Sequence, residues 1–135
     1  MIVNIKKGYE DIDVELNNVL DVLMPANLPS GLDEEALVKD SLNNPIGSDL
    51  LRNKVKKGDK VCIVTSDVTR PMPSWRVLPS VIEELEKGGV ERKDIFVIFA
   101  RGSHRNQSIE EHKHLMGKMY GVIDCFDSNS EDLGH

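Results

Sequence analysis

The 135-residue sequence lacks several features that mark other classes of protein. No apolar run approaches the ~20 residues of a membrane-spanning helix, and the first residues do not follow a signal-peptide pattern. The formal net charge of −6 argues against a general nucleic-acid surface, because phosphate binding needs clustered Lys and Arg. We therefore expect a cytoplasmic globular protein that binds neither a membrane nor nucleic acid.

Cysteine is scarce, and no metal-binding pattern accompanies it. The two cysteines, Cys62 and Cys125, each lie within an apolar, strand-like run. Neither has a neighbouring Cys or His at metal-ligand spacing, so no metal site is predicted. We interpret both as buried, reduced thiols of a cytosolic protein. A Gly-rich dinucleotide fingerprint and a P-loop are also missing, which argues against a classical NAD or ATP site.

Apolar strands that alternate with amphipathic helices make up most of the chain. Residues 1–16 predict a β-hairpin, which is followed by helices at 32–44, ending before Pro45, and at 48–58. The later segments are strands at 60–66, 94–100 and 122–126, separated by helices at 74–89 and 108–117. This alternation indicates β-α-β units and a parallel sheet covered on both faces. We predict an α/β fold, an open, mostly parallel, Rossmann-like half sheet with crossover helices and an N-terminal β-hairpin.

The helix ends carry specific signals. Ser48 is a suitable N-cap for the second helix and Gly58 a suitable stop, while Ser108 and Glu111 are placed as a capping box for the last helix. Pro79 lies within the first crossover helix. That helix therefore either starts near Pro79 after a preliminary turn or is kinked there.

The length of the chain suits one domain with a hydrophobic core and is too short for two ordinary domains. Three parallel strands with two crossovers make half of a doubly wound sheet, and that half has room for further strands beside it. We interpret residues 1–135 as a single α/β domain, the amino-terminal portion of a larger one, in a chain that is truncated.

Two polar loops leave the predicted parallel strands at the same edge of the sheet. "SDVTRP" follows one strand and "RGSHRNQS" follows the next. Ligands of open parallel sheets bind beyond the carboxyl ends of the strands. If the strands are neighbours, one crevice there receives Asp67, Thr69, Arg70 and His104.

The residue types in these loops suit a small anionic ligand. The planar guanidinium of Arg70 can grip a carboxylate or phosphate through two hydrogen bonds. His104 is the natural general acid or base near neutral pH. Asp67 could orient a ribose hydroxyl, Arg70 or His104. The sequence thus predicts a binding or catalytic crevice at this edge.

Ordinary structural roles explain each of these residues singly. An Asp at a strand end often caps a turn, a neighbouring Arg can pair with it, and a His in a polar loop is commonly just solvated. His112 and His114, two residues apart on the following helix, face different directions, so we interpret them as surface histidines rather than ligands. Met72 and Trp75 could line the crevice mouth, although helix packing explains Trp75 equally well.

Three motifs together resemble the nickel-dependent lactate racemase family. They are "SLNNPIGSDLL", "SDVTRPMPS" and "ARGSHRNQSIEE", in this order and at a similar spacing. The resemblance covers nearly the whole chain but only the amino-terminal part of a family member. It implies a racemase or epimerase of 2-hydroxy acids that uses a nickel pincer nucleotide, a cofactor that accepts the hydrogen transiently as a hydride.

The resemblance also implies roles for matched residues. His104 corresponds to one of two catalytic histidines that take the hydroxyl proton, and Arg70 to an arginine that holds the substrate carboxylate. Asp67 and Thr69 are expected near the phosphoribosyl part of the cofactor. One departure is Asn106, where the family usually has proline.

A larger departure is that the family's second histidine, its cofactor-anchoring lysine and its nickel-ligating histidine lie beyond the end of this chain. We therefore expect this chain alone to be inactive and not to bind the cofactor. Its expected partners are a small 2-hydroxy acid and the missing carboxy-terminal portion. Two other functions stay open: a non-catalytic α/β module that binds an anionic metabolite or nucleotide, and an interaction domain that dimerises through its exposed sheet edge.

Overall fold

The structure, a computed structural model, describes residues 1–25, 31, 33–70 and 72–129. The chain divides into two compact units, Met1–Ser30 and Gly31–His135. In the first unit, β1 (Ile2–Lys7) and β2 (Glu10–Glu15) form an antiparallel hairpin in which Ile2 pairs with Glu15. Gly8 lies in the turn at φ +65°, a conformation that glycine adopts at little cost. The predicted hairpin is confirmed.

A parallel sheet with crossover helices forms the second unit. Its strands are β3 (Val61–Ser66), β4 (Ile95–Ala100) and β5 (Asp124–Asp127), in the order β3-β4-β5. Its helices are α1 (Glu34–Asn43), α2 (Ser74–Lys87) and α3 (Ile109–Met116). Helix α2 connects β3 to β4, and α3 connects β4 to β5. The predicted α/β fold is therefore confirmed.

Only one face of this sheet is buried in the part of the chain that the structure describes. The hydrophobic core combines alternate β4 residues with the apolar sides of α2 and α3, and includes Ile95, Val97, Phe99, Ile82, Leu85 and Leu115. On the opposite face, Val64 is 65% exposed and Phe126 is 54% exposed. Because the strands advance in one direction, right-handed crossovers place both helices on the same side. The predicted cover on both faces is wrong for these residues.

The same asymmetry corrects the interpretation of the two cysteines. Cys62 lies on the open face and is exposed, while Cys125 lies on the core face of β5 and is half-buried. Burial raises the pKa of the Cys125 thiol, so it stays protonated near neutral pH. The prediction of two buried thiols is therefore wrong for Cys62 and only partly met by Cys125.

Two of the helix predictions need correction. The segment around 48–58 forms only a 3₁₀ turn at Leu51–Asn53, and the Ser48 hydroxyl donates to the carbonyl of Asp49 instead of capping a helix. Helix α2 begins at Ser74 and continues through Pro79, so a start near Pro79 is wrong. Proline there removes a single backbone donor.

The capping box on α3 is confirmed. Glu111 N donates to Ser108 Oγ at 3.2 Å, and Ser108 N donates to Glu111 Oε2 at 2.7 Å. This fixes where the loop after β4 ends and the helix begins. Within the described ranges, no helix combines the length and apolarity needed to cross a membrane.

Candidate functional site

The loops after β3 and β4 meet at the carboxyl edge of the sheet. Ser66 and Ala100, the last residues of the two strands, are paired in register, so both loops start side by side. Across them, Asp67 Oδ2 lies 2.6 Å from His104 Nδ1. The edge that parallel pairing predicts therefore holds an aspartate–histidine pair.

Asp67 is the buried member of this pair. Its side chain is 3% exposed, and its Oδ1 accepts hydrogen bonds from Thr69 Oγ at 2.7 Å and Thr69 N at 3.2 Å. The hydrogen bonds from Thr69 and His104 lower the pKa of the Asp67 carboxyl below its ordinary value, although burial opposes this. Asp67 is therefore ionised at neutral pH and can only accept hydrogen bonds.

The protonation of His104 at Nδ1 follows from that charge. Because Asp67 can only accept, Nδ1 of His104 must carry the hydrogen that lies between them. Nε2 makes no hydrogen bond to any residue that the structure describes. The pair thus orients an imidazole whose Nε2 can exchange a proton with a ligand.

A cleft of about 960 Å³ lies beside His104, a size typical of small-molecule pockets. The loop after β4 and the end of β5 line it, and Arg101 N donates to Ser128 Oγ at 3.1 Å within this lining. Arg101 NH1 donates to the His104 carbonyl, while the buried Nε of Arg101 has no hydrogen-bond partner among the described residues. The positive charge of Arg101 in the lining favours an anion in this cleft.

Arg70 lies on the same loop as Asp67 but lines a different cavity, of about 310 Å³, together with Met72, Trp75 and His114. Its guanidinium has no hydrogen-bond or ion-pair partner within 33–70 and 72–129. Trp75 also packs against His114, with ring centroids 4.7 Å apart. Of the four residues expected in one crevice, the structure thus brings together Asp67, Thr69 and His104 and places Arg70 beside them.

Arg105, which follows His104, has a structural contact. Its two terminal nitrogens donate to both oxygens of Glu111 at 2.9 and 2.7 Å. Arg105 and the Ser108 backbone lower the pKa of Glu111 to about 2. This pair ties the loop after His104 to α3.

Residues that sequence reasoning missed complete the edge. Asp127, at the end of β5, accepts hydrogen bonds from Gln107 and from His112 Nε2. The His112 side chain is only 19% exposed and its ring stacks on Phe99 at 5.2 Å, so its interpretation as a surface histidine is wrong. The position of Asp127 in the sequence could have indicated its role, because it ends the third parallel strand at the same sheet edge where Asp67 follows the first strand.

Metal ligation has no counterpart in these residues. Over the described residues, no group of three or more His, Cys, Asp or Glu side chains could hold a metal ion. The edge offers instead an oriented imidazole and two arginines, a set suited to proton exchange and anion binding.

The fold and this edge define a Rossmann-like α/β unit with a polar cleft beyond the carboxyl ends of its parallel strands. Residues 5–135 match the family described as the lactate racemase N-terminal domain. The chain therefore belongs to the lactate racemase family and corresponds to the N-terminal domain of its members.

Two curated relatives and one solved structure are similar to it. The chain is 34% identical over 87 residues to the lactate racemase of Thermoanaerobacterium thermosaccharolyticum. These aligned residues cover 64% of this chain and 20% of the relative. It is 34% identical over 90 residues to that of Lactiplantibacillus plantarum, 67% of this chain and 21% of the relative. The aligned part thus spans about a fifth of each relative.

The lactate racemase apoprotein structure from T. thermosaccharolyticum matches with a TM-score of 0.72 and 27% identity. The match covers 96% of this chain and 30% of that chain. The fold of this chain is thus shared with part of a lactate racemase.

The buried Asp67 carboxylate predicts a pH-dependent loss of stability. Because its folded-state pKa is lowered, its contribution is fully present above the unfolded carboxyl value of about 3.9 and is lost as the pH falls through the folded pKa. We expect Asp67→Asn to lower the free energy of unfolding by about 1–3 kcal/mol at pH 7. The difference should shrink below about pH 4, as measured by urea unfolding of both proteins at pH 7, 5 and 3.

Asp49→Asn is the matched control, since Asp49 is an exposed carboxylate away from the site. We expect it to change the free energy of unfolding by less than about 0.5 kcal/mol. A wild-type advantage over Asp67→Asn that is as large at pH 3 as at pH 7 would contradict the role of the ionised carboxylate.

Proposed function

We propose that this chain is the amino-terminal part of a 2-hydroxy-acid racemase or epimerase that works with a nickel pincer nucleotide. In this proposal His104 is one of two acid/base histidines, and Arg70 binds the substrate carboxylate. The observation that carries it is the 2.6 Å contact between Asp67 and His104 at the carboxyl edge of the sheet, in a member of the lactate racemase family.

The Asp67–His104 pair suits proton transfer to and from a hydroxyl group. His104 Nε2 takes the hydroxyl proton as the C–H bond of the carbinol carbon breaks, and Asp67 stabilises the imidazolium that forms. In the opposite direction of racemisation the second histidine is the base, and His104, protonated at Nε2, returns a proton to the hydroxyl group. The nickel pincer nucleotide, when bound, supplies the acceptor for the carbinol hydrogen as hydride.

The described residues fit the anionic parts of such a cofactor better than its metal. The guanidinium charge of Arg101 in the lining of the cleft of about 960 Å³ favours an anionic group there. The exposed Thr69 can approach a phosphoribosyl group, whereas the Asp67 carboxylate is already engaged by Thr69 and His104. We therefore assign no nickel ligand to this chain and give Asp67 the role of orienting His104.

The partners in this proposal are a small 2-hydroxy acid and the additional polypeptide of a family-length protein. The chain spans about a fifth of its curated relatives, and its sheet leaves Val64 and Phe126 exposed on one face. We propose that the additional polypeptide packs on this face and supplies the second histidine. The proposed location is the cytoplasm, where Cys62 and Cys125 would persist as the free thiols that the structure contains.

The test is racemisation by a family-length protein that carries this chain and is loaded with the nickel pincer nucleotide. Single enantiomers of lactate and other 2-hydroxy acids are incubated with it, and chiral chromatography follows the opposite enantiomer. The proposal predicts that at least one acid racemises or epimerises. If every acid keeps its configuration while the cofactor stays bound, the proposal is wrong.

Arg70→Lys in that protein should raise KM by about 10- to 100-fold, because lysine cannot make the two parallel hydrogen bonds of a guanidinium to a carboxylate. The effect on kcat should be smaller, since the carboxylate is bound in both the ground state and the transition state. Steady-state kinetics measure both constants. Arg76→Lys, at an exposed arginine that pairs with Glu34, is the control, and an unchanged KM in Arg70→Lys would exclude Arg70 as the carboxylate clamp.

The alternative is a non-catalytic module that binds an anionic metabolite or nucleotide. It is favoured by the position of Arg70, whose guanidinium has no side-chain partner among the described residues and lines a cavity other than that of His104. Calorimetric binding of a hydroxy acid or nucleotide to the 135-residue chain, without turnover in any longer protein and lost in Arg70→Ala, would support this alternative.

A further inference from the structure

A second connection joins the same two loops that carry Asp67 and His104. Val68, the residue after Asp67, donates its backbone N–H to Gln107 Oε1 at 2.7 Å. Gln107 is three residues after His104, on the other loop. The loops are therefore joined once by the aspartate–histidine pair and once by an amide that has no proton chemistry of its own.

The end of β5 holds Gln107 in place. Asp127 Oδ2 accepts from Gln107 N at 2.7 Å, and Asp127 Oδ1 accepts from Gln107 Nε2 at 2.7 Å. His112 Nε2 donates to the same Oδ1 at 2.8 Å. Through Gln107, one carboxylate at the third strand fixes the loops that follow the first two strands.

The hydrogen bonds of this cluster leave one consistent orientation for the Gln107 amide. The Val68 N–H can only donate, so it requires the amide oxygen, and Nε2 is left to donate to Asp127. Burial alone would raise the pKa of Asp127, but hydrogen bonds from His112 and Gln107 lower it below its ordinary value. Asp127 is thus an ionised acceptor for all three donors.

The cluster is also shielded and packed. The side chains of Asp127 and His112 are 13% and 19% exposed, and the His112 ring stacks on the fully buried Phe99. By contrast, the His104 side chain is 45% exposed and depends on its loop for its position. Hydrogen bonds in such a sheltered site hold their geometry better than those open to water.

We propose that Gln107, held by Asp127 and His112, is a positioning residue that keeps the His104 imidazole in hydrogen-bond contact with Asp67. The inference rests on the proposed function, in which His104 exchanges a proton with the substrate. Proton transfer is sensitive to this geometry, because a misplacement of about 1 Å can cost on the order of 100-fold in rate.

The test reads the His104 ring directly in the 135-residue chain without substrate. Long-range ¹H–¹⁵N NMR reports which ring nitrogen carries the hydrogen and how fast the Nδ1 proton exchanges with water. In Gln107→Leu, we expect the Nδ1 proton to exchange with water about tenfold faster and the fraction of His104 rings that carry the hydrogen on Nδ1 to fall. Asn106→Leu, at an exposed amide on the same loop, is the matched control and should leave the ring signals unchanged.

Exchange of the Val68 amide verifies that the Gln107 contact is lost. If the Val68 amide exchanges faster while the His104 signals stay as in the wild type, the inference is overturned. Should Gln107→Leu fail to fold, Asp127→Asn keeps the side-chain shape and is measured instead. It should show a smaller change of the same kind, and unchanged His104 signals there would equally overturn the inference.

The same variants separate this inference from the proposed function. In the cofactor-loaded, family-length protein, Gln107→Leu should lower kcat by about 10- to 100-fold with little change in KM. If Gln107→Leu alters the His104 signals but the family-length protein racemises no acid, the proposed function is refuted and the positioning role of Gln107 still holds. Normal His104 signals with intact racemisation would do the reverse.

Discussion

His104→Asn should lower kcat for racemisation by about 10²- to 10⁴-fold, the range that a general acid or base contributes. The variant removes the proton-accepting Nε2. The asparagine amide can still donate an N–H to Asp67, as His104 Nδ1 does at 2.6 Å in the wild type. Both directions of the reaction should slow equally, because the base for one enantiomer is the acid for the other. Substrate binding should change little, and chiral chromatography from each pure enantiomer measures the rates.

His114→Asn is the matched control for that result. His114 is exposed on α3 and lines the cavity of Arg70, not the cleft of His104. It should keep nearly the whole kcat, and any effect should be on KM, through the cavity that it shares with Arg70 and Trp75. If His104→Asn racemised as fast as the wild type, His104 could not be an acid/base residue, and the Asp67–His104 contact would be structural.

The part of the site that sequence could predict is the part that strand topology fixes. Two apolar strands followed by polar loops place Asp67 and His104 at one sheet edge, because all parallel strands end there. Of the two side chains that Asp67 could orient, Arg70 and His104, the structure shows a contact with His104, at 2.6 Å. That selection depends on side-chain directions within two irregular loops, which no periodicity encodes.

Other features needed information that the residue pattern does not contain. Arg70 is only three residues from Asp67, yet it lines another cavity, since a turn at Asp67 and Arg70 redirects the chain. Gln107 gives no signal by itself, because its role depends on simultaneous contacts with Val68 and Asp127. The burial of only one sheet face could have been predicted from the handedness of the crossovers, which places both helices on the same side. The prediction that both faces are covered did not use this rule.

The two faces of the sheet should differ sharply when an aromatic residue is removed from each. Phe99 is fully buried, packs under the ring of His112, and its carbonyl accepts from Arg101 N and Ser128 N at 2.9 Å. Phe99→Ala should lower the free energy of unfolding of the chain by about 3–5 kcal/mol, through lost burial and the cavity left behind. Urea unfolding followed by circular dichroism measures this loss.

Phe126→Ala removes the same side chain from the open face and is the matched control. Phe126 is 54% exposed and makes an edge contact with Phe96 at 6.5 Å, so its loss should cost less than about 1 kcal/mol. Equal losses for the two variants would contradict a one-sided core. In a family-length protein, the cost of Phe126→Ala should rise if further polypeptide covers this face, because the ring would then be buried. The comparison therefore tests the core of this chain and the proposed packing of the rest against it.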